Sequence, residues 1–204
     1  MTKLILASNS PRRKKILTDM GLDFEIIPSN FNEKIDSNDF SYDKIEDIAT
    51  QKCLDVVRRI RNGDSPEIKE NGAIVFAADT VVVLHNKILG KPHTKENAFK
   101  MLKELSGNTH MVVTSSCGIN TRTNRAATLS TTSYVRFTEW TDDMINIYIE
   151  KFSPLDKAGS YGIQELPDGY LDKYEGSFKN IVGLSPDAVN AVLNQLGYFR
   201  KTQN

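Results

Sequence analysis

The sequence predicts an α/β protein, a three-layer arrangement of a mixed central β-sheet with helices on both faces. Three observations carry that reading. Apolar β-type runs and amphipathic helical stripes alternate along the whole chain, the order expected of a layered α/β fold. The first apolar run, Leu4-Ile5-Leu6, breaks through a small polar turn straight into a proline-started helix. Segments 111–119 and 126–137 flank a turn at Thr121–Arg125 and read as a hairpin, which brings antiparallel pairing into the sheet.

The stretch from Leu4 to Arg13 is a strand, a loop and a helix start. Ser10 suits the N-cap and Pro11 the first helical position, so the N–H groups of the first turn face whatever lies above the strand. Arg12 and Arg13 oppose the helix dipole there at about 0.3–1 kcal/mol each. A solvated surface pair is one reading; an anion held at the helix start is the other. The helix is expected over Pro11 to Met20, burying Ile16, Leu17 and Met20 and stopping at Gly21. A strand follows at Phe24–Ile27, then a polar loop containing the carboxylate of Glu33.

From Asp43 to Ile60 the residues Ile45, Ile48, Ala49, Cys53, Val56, Val57 and Ile60 mark an amphipathic helix. Lys52 lies on or beside its apolar face, where a lysine either snorkels to water or points a charge into a cleft. Residues 61–72 read as a flexible connector. Ala73 to Leu84 is an apolar strand interrupted by Asp79 and Thr80. A charge in such a strand is costly unless paired, hydrogen-bonded or metal-bound, so Asp79 is a site candidate, with a structural carboxylate accepting backbone N–H bonds as the alternative. Gly90-Lys91 is not a P-loop, because His85 stands where the first glycine is required and Pro92 where the Ser or Thr is required.

Thr94 caps a helix with Ala98, Met101, Leu102 and Leu105 inside, and Gly107 ends it. His110 has no metal-ligand partner at helical spacing and reads as a hydrogen-bonded structural residue. Thr141 with Asp142 and Asp143 opens a helix that buries Ile145, Tyr148 and Ile149. A glycine-rich loop spans 156–164. Ser177 to Leu184 reads as strand-like, and Ser185-Pro186 caps a last helix with Ala188, Val189, Val192, Leu193 and Leu196 inside. Residues 200–204 are expected to fray.

Length and composition narrow the class. The chain has 204 residues, 39% of them hydrophobic and 25% charged, ordinary for a globular protein. With 26 Lys+Arg against 26 Asp+Glu, no global field would hold it on nucleic acid or an anionic membrane. Cys53 and Cys117 make neither a disulfide framework nor a four-ligand zinc site, and read as reduced core residues. No run approaches a membrane span, and the N-terminus enters a strand directly, so a soluble cytoplasmic protein is expected.

Five separated strings, A-S-N-S-P-R-R, A-A-D-T-V-V, G-K-P, D-K-A-G-S-Y-G-I-Q and S-F-K-N-I-V-G-L, together resemble the Maf family of nucleoside triphosphate pyrophosphatases over almost the whole chain. The resemblance implies one domain of two lobes, 1–204, around a deep cleft, usually in a homodimer. It implies hydrolysis of nucleoside triphosphates to monophosphate and pyrophosphate with a divalent metal, Mg²⁺ or Mn²⁺. Carried over residue by residue, it places Ser8, Arg12, Arg13 and Lys91 at the phosphates, Glu33 and Lys52 in the catalytic cleft, and Asp79 as proton acceptor, with Glu33 and Asp79 the metal-binding oxygens. Asp79 as base and Asp79 as metal ligand stay open. Arg13, Thr80 and Gln164 resemble the subgroup acting on dTTP and UTP. The chain departs from the family's G-L-P near its end, reading Gly183-Leu184-Ser185-Pro186. A non-catalytic nucleotide-binding regulator of cell division is the competing reading.

Overall fold

The computed structural model describes residues 2–32, 38–64 and 66–198. A seven-stranded mixed sheet has the order β2-β1-β3-β5-β6-β7, with β4 paired to β3 off that path. The strands are β1 (Lys3–Leu6), β2 (Glu25–Ile26), β3 (Ala73–Leu84), β4 (Lys87–Leu89), β5 (Thr109–Asn120), β6 (Ala126–Phe137) and β7 (Leu171–Glu175). The helices are α1 (Pro11–Asp19), α2 (Tyr42–Arg59), α3 (Pro66–Asn71), α4 (Lys95–Leu105), α5 (Asp142–Phe152), α6 (Phe178–Val182) and α7 (Pro186–Gln195). β1 lies parallel to β2 and β3, and every other pairing is antiparallel. No helix among the described residues is long and apolar enough to cross a membrane.

Side-chain alternation along β3 divides the core into four clusters and so builds the site. On one face Val75 and Ala77 pack with Ala49, Cys53 and Val56 of α2, whereas Val81 and Val83 pack with Ile45 and Ile48 of the same helix. Asp79 stands between those pairs. On the other face Ile74, Phe76 and Ala78 pack under α1 and α7, whereas Val82 and Leu84 pack under α4 and α5, with Thr80 between. Two polar residues therefore interrupt both faces at one level, and the protein has a half on either side of it.

The backbone opens at the same level. Along one edge β3 pairs with β1 through Ala73–Phe76, and further on with β4 through Val82–Leu84. Between these, 77–81 has β5 on its other side but, among the described residues, no strand on this one. β1 ends short of Asp79, and the chain turns off it into α1.

Helix starts follow the capping pattern. Ser10, Ser41, Thr94, Thr141, Ser177 and Ser185 each accept a bond from the N–H three residues on. Three expectations need correction, and one strand went unread. The 177–184 segment is a helix, α6, because Ser177 caps it and Gly183, at φ 132°, ends it. The connector over 61–72 contains α3, started by Pro66 and anchored by buried Ile68. Leu171–Glu175 is an edge strand whose polar residues gave no apolar alternation to read. Met20, expected in the core, is the C-cap of α1 and only partly buried.

Candidate active site

A cleft of about 920 Å³ opens at the Asp79–Thr80 level. Ser8, Arg12, Arg13, Lys52, Asp79, Thr80, Lys91 and Gln164 all line it, so the separated sequence motifs converge on one wall-to-wall site. Glu33 lies outside the described residues.

At its base Lys52 Nζ donates to Asp79 Oδ1 at 2.6 Å, with side chains 11% and 9% exposed. Their meeting follows from two periodicities. Ile48, Lys52 and Val56 form one i, i+4 stripe on α2, which crosses from one core cluster to the next at Lys52. Asp79 occupies the crossing on β3, so each charge is the other's partner where the apolar packing is interrupted. Of the two readings of Lys52, the one that points its ammonium into a cleft is the observed one. Asp79 Oδ2 accepts no hydrogen bond from the described residues, which leaves it to take a proton or a cation.

The second wall is the α1 start. Ser10 Oγ accepts from Arg13 N–H at 3.4 Å, and no acidic residue occupies the first turn. Ser8 Oγ accepts from Ser10 N–H at 3.2 Å and from Arg13 Nη1 at 3.5 Å. A hydroxyl has one hydrogen and two acceptor positions, so the Ser8 hydrogen is the part left to give to an anionic oxygen.

The two arginines have different surroundings. Arg13 Nε donates to Gly183 O at 3.0 Å and Nη2 to Thr80 Oγ1 at 3.0 Å. Thr80 in turn lies 3.0 Å from Thr114 Oγ1, which donates to Asn180 O. Arg13 is thus locked to β3 and to the end of α6. The Arg12 guanidinium lines the cleft and acts on Asp156: burial pushes that carboxyl up, but Lys157, and to a smaller degree Arg12, hold it below its usual value. Lys91 and Gln164 are exposed side chains on the cleft wall.

The glycine-rich loop closes the far side through tight contacts. Gly159, at φ +66°, sits where a Cβ would come within 2.8–2.9 Å of Val82, and its N–H donates to Gly90 O at 3.1 Å. Gly162 N–H donates to Tyr148 Oη at 3.1 Å. Behind it His110 Nε2 meets Tyr161 Oη at 2.8 Å in an aromatic surround, and burial lowers the histidine to about 3. It is the structural histidine expected, kept neutral.

Among the described residues, five cationic side chains, Arg12, Arg13, Lys52, Lys91 and Lys157, line the cleft against three carboxylates, Asp79, Asp156 and Glu165. That excess, in a protein of even net charge, selects for a polyanion. No group of three or more His, Cys, Asp or Glu side chains among the described residues could hold a metal alone. Mg²⁺ does not need such a cage, since one or two carboxylates plus substrate phosphates suffice, and Asp79 Oδ2 is a hard oxygen of the right kind. Sequence reasoning passed over Lys157, which a neighbouring aspartate disguises as a solvated pair, and the Gly183 carbonyl, which belongs to the helix read as a strand.

The sequence profile of the family described as "Maf-like protein" matches residues 3–196. The chain belongs to the Maf family. Its Maf relatives include a dTTP/UTP pyrophosphatase of Acetivibrio thermocellus, 38% identical over 97% of this chain and 96% of the relative. Another, of Bdellovibrio bacteriovorus, is 36% identical over 94% and 97%. A third, of Clostridium perfringens, is 40% identical over 89% and 91%. A crystal structure of a nucleoside-triphosphatase / dITP/XTP pyrophosphatase from Mycobacterium abscessus matches over 95% of both chains at 12% identity and a TM-score of 0.44, too remote to bear on the chemistry. Residues of the strings that resemble the Maf family, Ser8, Arg12, Arg13, Asp79, Thr80, Lys91 and Gln164, are ones the fold gathers in the cleft.

Proposed function

We propose that this Maf-family chain hydrolyses nucleoside triphosphates, dTTP and UTP foremost, to monophosphate and pyrophosphate by attack of water on the α-phosphate. The observation that carries it is the buried Lys52–Asp79 pair at the base of a cleft with a surplus of cations. The names of the relatives support the same substrates.

Arg12, Lys91 and the α1 start replace water around the triphosphate and stabilise charge developing on its oxygens. Asp79, held through Oδ1 by Lys52, takes the proton of the attacking water. Lys52 neutralises the carboxylate in its dry surroundings. In the alternative role Asp79 would instead hold, together with Glu33, a Mg²⁺ or Mn²⁺ that screens the phosphates and acidifies that water. Gln164 offers both a donor and an acceptor to the imide edge of uracil or thymine, and Arg13, fixed through Thr80, sets the wall against which the base is chosen.

A panel of purified triphosphates with Mg²⁺ or Mn²⁺, read for pyrophosphate and monophosphate, tests this. Release of orthophosphate instead would reject attack at the α-phosphate, and tight nucleotide binding without cleavage at any metal concentration would favour a regulator.

A further inference from the structure

Lys157 is a cation that this chemistry does not use, and its surroundings are incomplete. It is 9% exposed in the wall of the cleft. Its ammonium carries three hydrogens, but among the described residues it makes one hydrogen bond, to Asp156 Oδ1 at 3.1 Å. That aspartate is itself 74% exposed, so the bond competes with water. The second carboxylate, Glu165, approaches to 3.5 Å through Oε2, which is buried yet accepts no hydrogen bond. A nearly dry ammonium with hydrogens to spare, facing a cleft that selects polyanions, is arranged to receive an oxyanion.

Its backbone is held while its head group is not. Lys157 N–H donates to Pro154 O at 3.2 Å and its carbonyl accepts from Ser160 N–H at 3.1 Å. Two residues on, Gly159 ties the loop to Gly90, beside Lys91. Arg12 reaches the same region, since its charge acts on Asp156. Lys157, Lys91 and Arg12 therefore lie in one region of the cleft wall.

We propose that Lys157 binds the pyrophosphate portion of the substrate and retains it as the leaving group, exchanging its contact with Asp156 for a phosphate oxygen. This rests on the function proposed above, in which pyrophosphate is the product. In the empty cleft Asp156 and Glu165 hold the ammonium in place and compensate its charge; with substrate bound, the phosphates take over that task.

The test is calorimetric titration of inorganic pyrophosphate into the full chain, comparing wild type with Lys157→Gln and Glu165→Gln, alongside thermal melts. Lys157→Gln is expected to weaken pyrophosphate binding at least tenfold, whereas Glu165→Gln leaves it unchanged or tighter. A purely structural ion pair predicts the opposite pattern: both variants lose the same affinity and the same melting temperature. That result would overturn the proposal, as would wild-type affinity in Lys157→Gln or no pyrophosphate binding by wild type at millimolar concentration. Turnover of triphosphates is measured separately, so absence of cleavage with normal pyrophosphate binding would count against the proposed reaction and not against Lys157.

Discussion

Replacing Lys52 by methionine leaves the Asp79 carboxylate without its partner at a position where both side chains are about one-tenth exposed. Removing one member of a buried pair costs about 3–5 kcal/mol, because the remaining charge is uncompensated. For a chain of this length each kcal/mol moves the melting temperature by about 2–4 °C, so Lys52→Met is expected to melt about 6–20 °C lower. Adding Asp79→Asn removes the stranded charge, and the double variant should recover to within about 1 kcal/mol of wild type. Activity runs the other way. Asp79→Asn alone should lose at least about 100-fold in turnover, and the double variant should be as inactive as the worse single one. Four proteins, each measured by chemical denaturation and by pyrophosphate release, complete the cycle. Additive stability losses would show that the pair is not coupled, and full turnover by Asp79→Asn would remove the carboxylate from the reaction.

Arg12→Ala should lower turnover on every nucleotide, whereas Arg13→Ala should change the ranking of nucleotides; equal losses across the panel in both variants refute that division. Thr80→Val deprives Arg13 of an acceptor at 3.0 Å, costing about 0.5–1.5 kcal/mol in stability and narrowing the preference for pyrimidine nucleotides, read as a ratio of kcat/KM values. Burial holds His110 near 3 in the folded chain against 6.5 in the unfolded one, so below pH 6.5 the unfolded state takes up a proton that the native state refuses. Native stability contributed by the neutral histidine is thus lost as pH falls from about 6.5 toward 3, by about 2 kcal/mol at pH 5, and a denaturation series on His110→Gln should lack that slope. Gly159→Ala forces a Cβ against Val82 at a positive φ; it is expected to cost about 1–3 kcal/mol and to weaken pyrophosphate binding as the loop carrying Lys157 shifts.

Much of this architecture is written in local chemistry. The limits of β3 and β6 follow from their residue patterns, and six helix starts carry a Ser or Thr whose capping bond is present. Asp79 declares itself because an ionised group in an apolar strand requires a partner, although Lys52 becomes that partner only when α2 lies across the sheet. Where reading failed, opposing signals were of similar strength. Phe178-Lys179-Asn180-Ile181-Val182 suits a strand or a helix, and the decision lies in its flanks, Ser177 and Gly183. β7 is stabilised through pairing with β6 and not through its own apolar content, which one segment cannot disclose. The burial of Lys157 is created by a loop folding onto Val82, a contact between residues 77 positions apart. No local pattern encodes that.

The missing neighbour along 77–81 of β3 has a mechanical consequence. The two halves are not separate bodies joined by a linker, because one uninterrupted ladder between β3 and β5, from Ile74–Asn120 to Val83–Met111, runs through both. The Asp79–Thr80 level is the waist of a single continuous ribbon. Any displacement of one half against the other must twist that ribbon, a deformation shared among its rungs and not concentrated at a joint. The side chains on either wall of the cleft are thus held in register by one shared backbone, and a substitution that disturbs one half is felt across the opening.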